Sequence, residues 1–120
     1  MDLGELLGIR VESAEEDRAV VVLDVDERHL NPGGTVHGGA LATLADTAMG
    51  AAVAAGADGD ERPVTVEMKV SYLEPGGPGR LTARSIVRKR GRRITILEVE
   101  IEQDGDLVAF GTATFTTVGG

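Results

Sequence analysis

The sequence contains no cysteine and no tryptophan, and it has only three aromatic side chains among 120 residues. Without cysteine, disulfide bonds, thiolate nucleophiles and cysteine-ligated metal sites are excluded. Tyr72, Phe110 and Phe115 are too few to build a base-stacking platform for nucleic acid. The net charge of −8 at pH 7 also opposes binding to nucleic acid and to anionic membranes. The composition therefore predicts that neither nucleic acid nor a membrane is a partner.

Long hydrophobic segments are also scarce. Residues 1–7 include Asp2 and Glu5, and they lack the basic start and apolar centre of a signal peptide. The one extended apolar run follows Val36 and is interrupted by Asp46 and Gly50, so it is expected to be too short to span a bilayer. A chain of this length predicts a single domain, residues 1–120, and the default location is the cytoplasm.

The sequence pattern predicts one long helix and a set of strands. A short helix is expected over residues 1–7, the long helix over 38–55, and strands over 9–14, 18–25, 64–72, 80–89, 92–103 and 107–117. Residues 26–35 read as a loop. Most of the later strands are joined by hairpin signals such as Asp104-Gly105. This order predicts the α+β class, with an antiparallel β-sheet wrapped around one central helix.

The stretch from Asn31 to Ala57 concentrates the residues with chemical potential. A Gly-rich loop becomes a helix at His37-Gly38-Gly39, and Asp46 is the only charged residue between Val36 and Ala57. A helix start without side-chain bulk offers unbonded N–H groups and the positive end of the helix dipole. A carboxylate inside an apolar helix is costly to bury unless it is paired or hydrated. Together they indicate a site for a polarised carbonyl and an activated water.

This stretch resembles the signature of the hotdog-fold acyl-CoA thioesterases, and most closely that of the PaaI-like phenylacetate-degradation group. The matching residues are Asn31, Val36-His37-Gly38-Gly39 and Leu44-Ala45-Asp46-Thr47-Ala48-Met49-Gly50. The resemblance continues in residues 64–73, 90–92 and 104–111. It implies a hotdog fold and homodimers that usually pair into homotetramers. It also implies hydrolysis of an acyl-CoA thioester without a metal or a separate cofactor, since coenzyme A is part of the substrate.

Two residues are expected to carry most of the chemistry. The Gly38 N–H is expected to polarise the thioester carbonyl, although Gly38 and Gly39 could instead serve a tight turn. Asp46 is expected to act as the general base that deprotonates water, or as the direct nucleophile. The alternative for Asp46 is a buried carboxylate that caps neighbouring backbone.

The other candidate residues have more than one possible role. His37 is expected to orient the loop or to hydrogen-bond the thioester, unless it only caps the helix. Asn31 is expected to hold the carbonyl or the water, unless it only forms a turn. Thr65 is expected to hold the water or the carboxylate, unless it only favours a strand. Gly39 and Thr47 belong to the same helix-start motif and are expected to contact the substrate.

Positive charge is concentrated in one segment of this acidic chain. Seven of the twelve lysine and arginine residues lie between Arg80 and Arg93. Arg88, Arg90 and Arg92 surround an expected hairpin turn. Since arginine binds phosphate well, they are expected to hold the phosphates of coenzyme A. Charge protection of an edge strand is the alternative.

Two other functions fit the same residues. A hotdog dehydratase or hydratase also combines a histidine with a carboxylate, but the His37-Gly38-Gly39 start followed by Asp46 favours hydrolysis. A non-catalytic acyl-CoA-binding module is expected to lack the helix carboxylate and to carry an added regulatory domain. The acyl group stays open among aryl, hydroxylated aryl and medium-chain groups.

Overall fold

One antiparallel sheet and one long helix make up most of the fold in the computed structural model, which describes residues 1–119. The elements are α1 (Leu3–Leu7), β1 (Arg10–Glu15), β2 (Arg18–Val25), a 3-10 turn (Glu27–His29), α2 (Gly38–Ala55), β3 (Arg62–Tyr72), β4 (Gly79–Arg90), β5 (Thr95–Gln103) and β6 (Asp106–Val118). The six described strands pair antiparallel in the order β1-β2-β4-β5-β6-β3. The predicted architecture, a sheet around one central helix, is confirmed.

Helix α2 packs closely against one face of the sheet, and four of its eight buried residues are alanine. Ala45, Ala48 and Ala52 are each fully buried, with 0% of their surface exposed. The buried Ser85 of β4 donates a hydrogen bond from its Oγ to the carbonyl oxygen of Ala48, at 2.6 Å. These contacts fix the middle of α2 against the sheet, and so they fix the position of its polar residues relative to the strands.

The sheet covers only one side of α2, although an all-apolar helix was expected to be buried on most sides. A single sheet layer cannot surround a helix, so a stripe of the helix stays half-buried. Its residues are Ala42, Thr43, Asp46, Thr47 and Gly50. By length and composition α2 is long and apolar enough to cross a membrane, contrary to the sequence expectation, but the sheet buries its other side as in the core helix of a globular domain.

Most elements begin or end one to three residues away from the predicted positions. Two departures from the prediction have local reasons. Strand β5 begins at Thr95 rather than at residue 92, because the Gly91 N–H donates to the Ile94 carbonyl at 2.8 Å and closes a turn there. The expected loop over residues 26–35 contains the 3-10 turn, which Asp26 caps by accepting a hydrogen bond from the Arg28 N–H.

A β-bulge interrupts the alternation predicted for β3. Thr65 pairs with Phe115 of β6, but the next paired residue of β3 is Glu67, so Val66 is the extra residue. Without the extra residue, Thr65 would lie on the same face as Glu67, away from the helix. With it, Thr65 lies on the same face as Met68, which packs against the core. The bulge therefore turns Thr65 toward α2, a use of bulges that is common beside active sites.

We expect Ala48→Leu to lower the free energy of unfolding by about 1–3 kcal/mol, because the added atoms have no room between helix and sheet. Urea denaturation with an unchanged m-value measures the effect. The matched control is Ala55→Leu, which adds the same atoms at the exposed end of α2 and is expected to change stability by less than about 0.5 kcal/mol. Equal stability of wild type and Ala48→Leu would contradict the packing described.

Candidate active site

The loop that precedes α2 ends in a histidine that caps the helix. The His37 Nδ1 accepts a hydrogen bond from the Gly39 N–H at 2.7 Å. The His37 N–H donates to the His29 carbonyl oxygen at 2.8 Å, which closes the loop between them. Capping by the residue at this position satisfies one of the unbonded N–H groups at a helix start. His37 thus fixes the entry into α2, whatever it contributes to a ligand.

The Gly38 N–H is left without an acceptor among residues 1–119. It lies at the first position of an 18-residue helix, where the dipole favours negative charge. A carbonyl oxygen placed at this N–H would gain both a hydrogen bond and the field of the helix.

The need for glycine differs between the two positions. Neither Gly38 nor Gly39 is among the described glycines with positive φ, so a tight turn explains neither of them. A Cβ at Gly39 would lie 2.9 Å from the His37 Nδ1, so the histidine cap requires glycine there. A Cβ at Gly38 would meet only the Tyr72 ring, at an ordinary 3.5 Å. Nothing within the described protomer therefore demands glycine at position 38.

Tyr72, at the end of β3, contacts this helix start and was not singled out from the sequence. Its hydroxyl donates to the Gly38 carbonyl oxygen at 3.0 Å, although half of the side chain stays exposed. Because the partner is a backbone carbonyl, no residue type in the motif signals the contact. The tyrosine helps to hold the peptide that carries the unbonded N–H.

The carboxylate of Asp46 is held by the neighbouring edge strand. The Thr65 hydroxyl donates to Asp46 Oδ1 at 2.6 Å, a short bond of the kind that charged acceptors form. Asp46 lies half-buried on the uncovered stripe of α2. Its second oxygen, Oδ2, accepts no hydrogen bond from the described part of the chain. Thr65 therefore contacts the carboxylate, one of the two contacts expected of it, and leaves Oδ2 available.

The protomer keeps this carboxylate apart from the helix start. Asp46 follows Gly38 by eight residues on the same helix, which corresponds to about 12 Å at 1.5 Å per residue. One protomer thus holds the Gly38 N–H and the Asp46 carboxylate at two separate places on α2.

Asn31 and Thr47 contact other parts of the chain. Asn31 forms a turn, in which its N–H donates to the Thr35 carbonyl at 2.7 Å and its carbonyl accepts from the Gly34 N–H. The Thr47 hydroxyl donates to the Thr43 carbonyl one turn earlier in α2, at 2.7 Å. Neither contact involves Gly38 or Asp46, so the substrate roles expected of these residues stay predictions.

The expected phosphate-binding arginines lie in two places. Arg88 pairs with Glu98 on the outer face of the sheet, with Nε 3.2 Å from Oε1. Arg90 and Arg92 instead line a polar groove of about 190 Å³ at the C-terminal end of α2, together with Arg93 of the same basic segment. Arg90 also donates from Nη2 to the Glu16 carbonyl at 2.9 Å.

A second histidine, His29, was missed because a histidine in a polar loop gives no signal. It is 1% exposed, its Nδ1 accepts from the Asp26 N–H at 2.9 Å, and its Nε2 contacts the Leu7 carbonyl oxygen at 2.6 Å. These partners assign the proton to Nε2. His29 ties α1 to the loop that leads to His37. Within residues 1–119, no three His, Asp or Glu side chains form a group that could hold a metal ion.

The chain is similar to known proteins over most of its length. The family model described as the thioesterase superfamily matches residues 33–110. The chain belongs to the thioesterase superfamily. The 1,4-dihydroxy-2-naphthoyl-CoA hydrolase of Listeria monocytogenes is 31% identical over 104 residues, which cover 87% of this chain and 85% of the relative.

Two solved structures superpose on nearly the whole chain. The E. coli PaaI protein from the phenylacetic acid degradation operon has a TM-score of 0.90 and 33% identity, covering 98% of this chain and 84% of that one. A thioesterase from Haemophilus influenzae has a TM-score of 0.90 and 26% identity, covering 97% and 82%. The hotdog fold and the resemblance to the PaaI-like group are thereby confirmed.

The two glycines at the helix start are expected to respond differently to alanine. Gly39→Ala should lower the free energy of unfolding by about 0.5–2 kcal/mol, because the new Cβ displaces the His37 cap. Gly38→Ala should leave stability unchanged or raise it slightly, since alanine favours a helix. Thermal unfolding followed by circular dichroism measures both. Equal destabilisation by both would show that glycine at position 38 has a structural reason.

Proposed function

We propose that the protein is an acyl-CoA thioesterase that hydrolyses an acyl- or aryl-CoA thioester to the free acid and coenzyme A. The observation that carries the proposal is the Asp46 carboxylate, held by Thr65 with Oδ2 available, on a helix whose first N–H, at Gly38, has no acceptor among residues 1–119. The first feature offers a base or nucleophile. The second offers a donor where negative charge develops during acyl transfer.

The proposed reaction uses these two groups on opposite sides of the thioester carbon. The Gly38 N–H binds the carbonyl oxygen and stabilises the tetrahedral oxyanion. In the general-base route, Asp46 takes a proton from water as the water oxygen bonds to the carbonyl carbon, and the carbon–sulfur bond breaks as the tetrahedral intermediate collapses. In the nucleophilic route, the Asp46 carboxylate bonds to the carbonyl carbon and the carbon–sulfur bond breaks, which leaves an acyl-aspartyl anhydride that water then hydrolyses. In both routes the coenzyme A thiolate receives a proton. No metal or separate cofactor takes part in this scheme.

The proposed site is shared between two protomers of a homodimer. Attack requires contacts of about 3 Å, whereas Gly38 and Asp46 of one helix are separated by about 12 Å. Two α2 helices antiparallel across a twofold axis would bring each Asp46 close to the partner's Gly38. The half-buried stripe of α2 supports such a contact. So does the edge strand β3, where Val64 and Val66 are 42% and 57% exposed.

The groove at the end of α2 is the proposed site of the coenzyme A phosphates. It adjoins Gly56, ten residues beyond Asp46, which corresponds to about 15 Å along the helix. Arg92 and Arg93 form no ion pair among the described residues, so their guanidinium groups are available. Asp58 and Glu61 also line the groove, but with Arg90 the three arginines outnumber these two carboxylates. Pairing of dimers into a homotetramer and a cytoplasmic location complete the proposal. The Listeria relative's name, a CoA hydrolase, supports hydrolysis rather than hydration.

Asp46→Asn is expected to lower kcat by about 10²–10⁴-fold, because the swap removes basicity but little volume. Thr65→Val should lower kcat less, since it removes the bond that orients the carboxylate, and Thr65→Ser should restore most activity. Thiol release from a panel of acyl-CoA thioesters measures each variant. Near-normal turnover by Asp46→Asn on the best substrate would rule out the assigned mechanism.

Arg92→Gln is expected to raise KM for acyl-CoA substrates by about tenfold, because it removes a charge-assisted contact to phosphate. The same variant should change KM little for the matching acyl-pantetheine, which lacks the nucleotide phosphates. Arg88→Gln is the matched control, since Arg88 pairs with Glu98 on the outer face. An equal loss on both substrate types, or an equal effect of both variants, would contradict the placement of the phosphates.

A further inference from the structure

An apolar groove of about 290 Å³ adjoins the helix start. Its walls include Leu41 from the first turns of α2, Tyr72 from the end of β3, and Leu73 and Pro75 from the segment that follows. Leu41 is buried, but Tyr72 and Leu73 are 52% and 48% exposed. The described protomer therefore leaves about half of each of these two residues uncovered.

The groove shares a wall with the proposed oxyanion donor, because Gly38 also lines it. A thioester carbonyl held at Gly38 has two substituents, the pantetheine sulfur and the acyl group. In the proposed dimer, the pantetheine runs toward the arginine groove at the end of the partner's α2, which lies beyond the start of this helix. The acyl group must leave the carbonyl on the other side, where the apolar groove begins.

We propose that this groove receives the acyl group and that Tyr72 is its specificity-determining residue; the inference rests on the proposed thioesterase function. The tyrosine hydroxyl is bonded to the Gly38 carbonyl, so its ring is held as a fixed wall beside the reacting carbon. Its size and position therefore limit which acyl groups bring their carbonyl to the Gly38 N–H.

The dimensions and charge of the groove define a substrate class. Its volume corresponds to roughly ten water-sized groups of about 30 Å³ each, enough for a phenylacetyl or a medium-chain acyl group. Its walls are mostly apolar, and a single carboxylate, Glu74, lines it. An acyl group with a second carboxylate would meet like charge there, which disfavours binding. The groove therefore fits uncharged aryl or medium-chain acyl groups better than dicarboxylic ones.

The test compares kcat/KM for acetyl-, hexanoyl-, phenylacetyl- and adipyl-CoA. Wild type is expected to prefer hexanoyl- and phenylacetyl-CoA to acetyl-CoA by about tenfold or more, and Tyr72→Ala should remove most of that preference. Tyr72→Phe keeps the wall and should keep the preference, with a lower kcat. Phe110→Ala is the control, since Phe110 is a comparably exposed aromatic on the outer face of β6 and should change no preference.

Glu74→Gln tests the charge at the groove separately. It should raise kcat/KM for adipyl-CoA relative to hexanoyl-CoA, two substrates of equal chain length, by about fivefold. Should Tyr72→Ala not fold, Leu73→Ala removes another exposed wall of the same groove and should also reduce the preference for hexanoyl-CoA. An unchanged acyl preference in Tyr72→Ala overturns the inference. If Tyr72→Ala does not fold, an unchanged preference in Leu73→Ala overturns it instead.

Failure of the inference can be told apart from failure of the proposed function. Wild type that hydrolyses no acyl-CoA of the panel overturns the thioesterase proposal and this inference with it. Wild type that hydrolyses them with a preference that no groove variant changes overturns only the inference. Calorimetric binding to the Asp46→Asn variant gives a readout without turnover. Hexanoyl-CoA should bind it at least several-fold more tightly than acetyl-CoA, and the added Tyr72→Ala change should remove that difference.

Discussion

The rigidity of helix α2 is the constraint on which the proposed site depends. A continuous helix holds the Gly38 N–H and the Asp46 carboxylate at a fixed separation of about 12 Å, too far for one thioester. The sheet fixes the helix through fully buried alanines and the Ser85 contact, so neither group can approach the other. In the proposed mechanism, the Gly38 N–H and the Asp46 carboxylate can therefore act on one thioester only if they come from two helices.

Other features of the protomer agree with this requirement. The sheet leaves a half-buried stripe of α2 that contains Asp46, and the bulge at Val66 turns Thr65 toward that carboxylate. The unoccupied edge of β3 runs beside the same stripe. Gly38 itself has no structural reason within the described residues to be glycine. An approaching thioester would supply that reason, because a Cβ would stand close to the N–H that binds its carbonyl.

Much of the fold and part of the candidate site could be predicted from the sequence. The apolar run after Val36 and the alternation after Pro63 predicted the helix and strands, and the helix-start motif located Gly38 and Asp46. Alternation could not reveal the bulges, because Val66 reads as one more apolar strand residue, and Arg88 is likewise the extra residue in its pairing with β5. The bulge at Arg88 lies between the part of β4 that places Arg88 beside Glu98 and the part that places Arg90 in the groove at the end of α2. Tyr72 and His29 escaped prediction because they bond to backbone groups, which no residue pattern records.

The most direct test of the shared site is complementation between two inactive variants. Asp46→Asn removes the base, and Gly38→Pro removes the donor at the first helical position, where proline fits a helix. His37 already has the extended conformation, φ −60° and ψ 133°, that a residue before proline adopts. In verified heterodimers one of the two sites combines both intact residues, so we predict about half of the wild-type activity per dimer. Heterodimers of folded variants that show no activity would contradict the shared site.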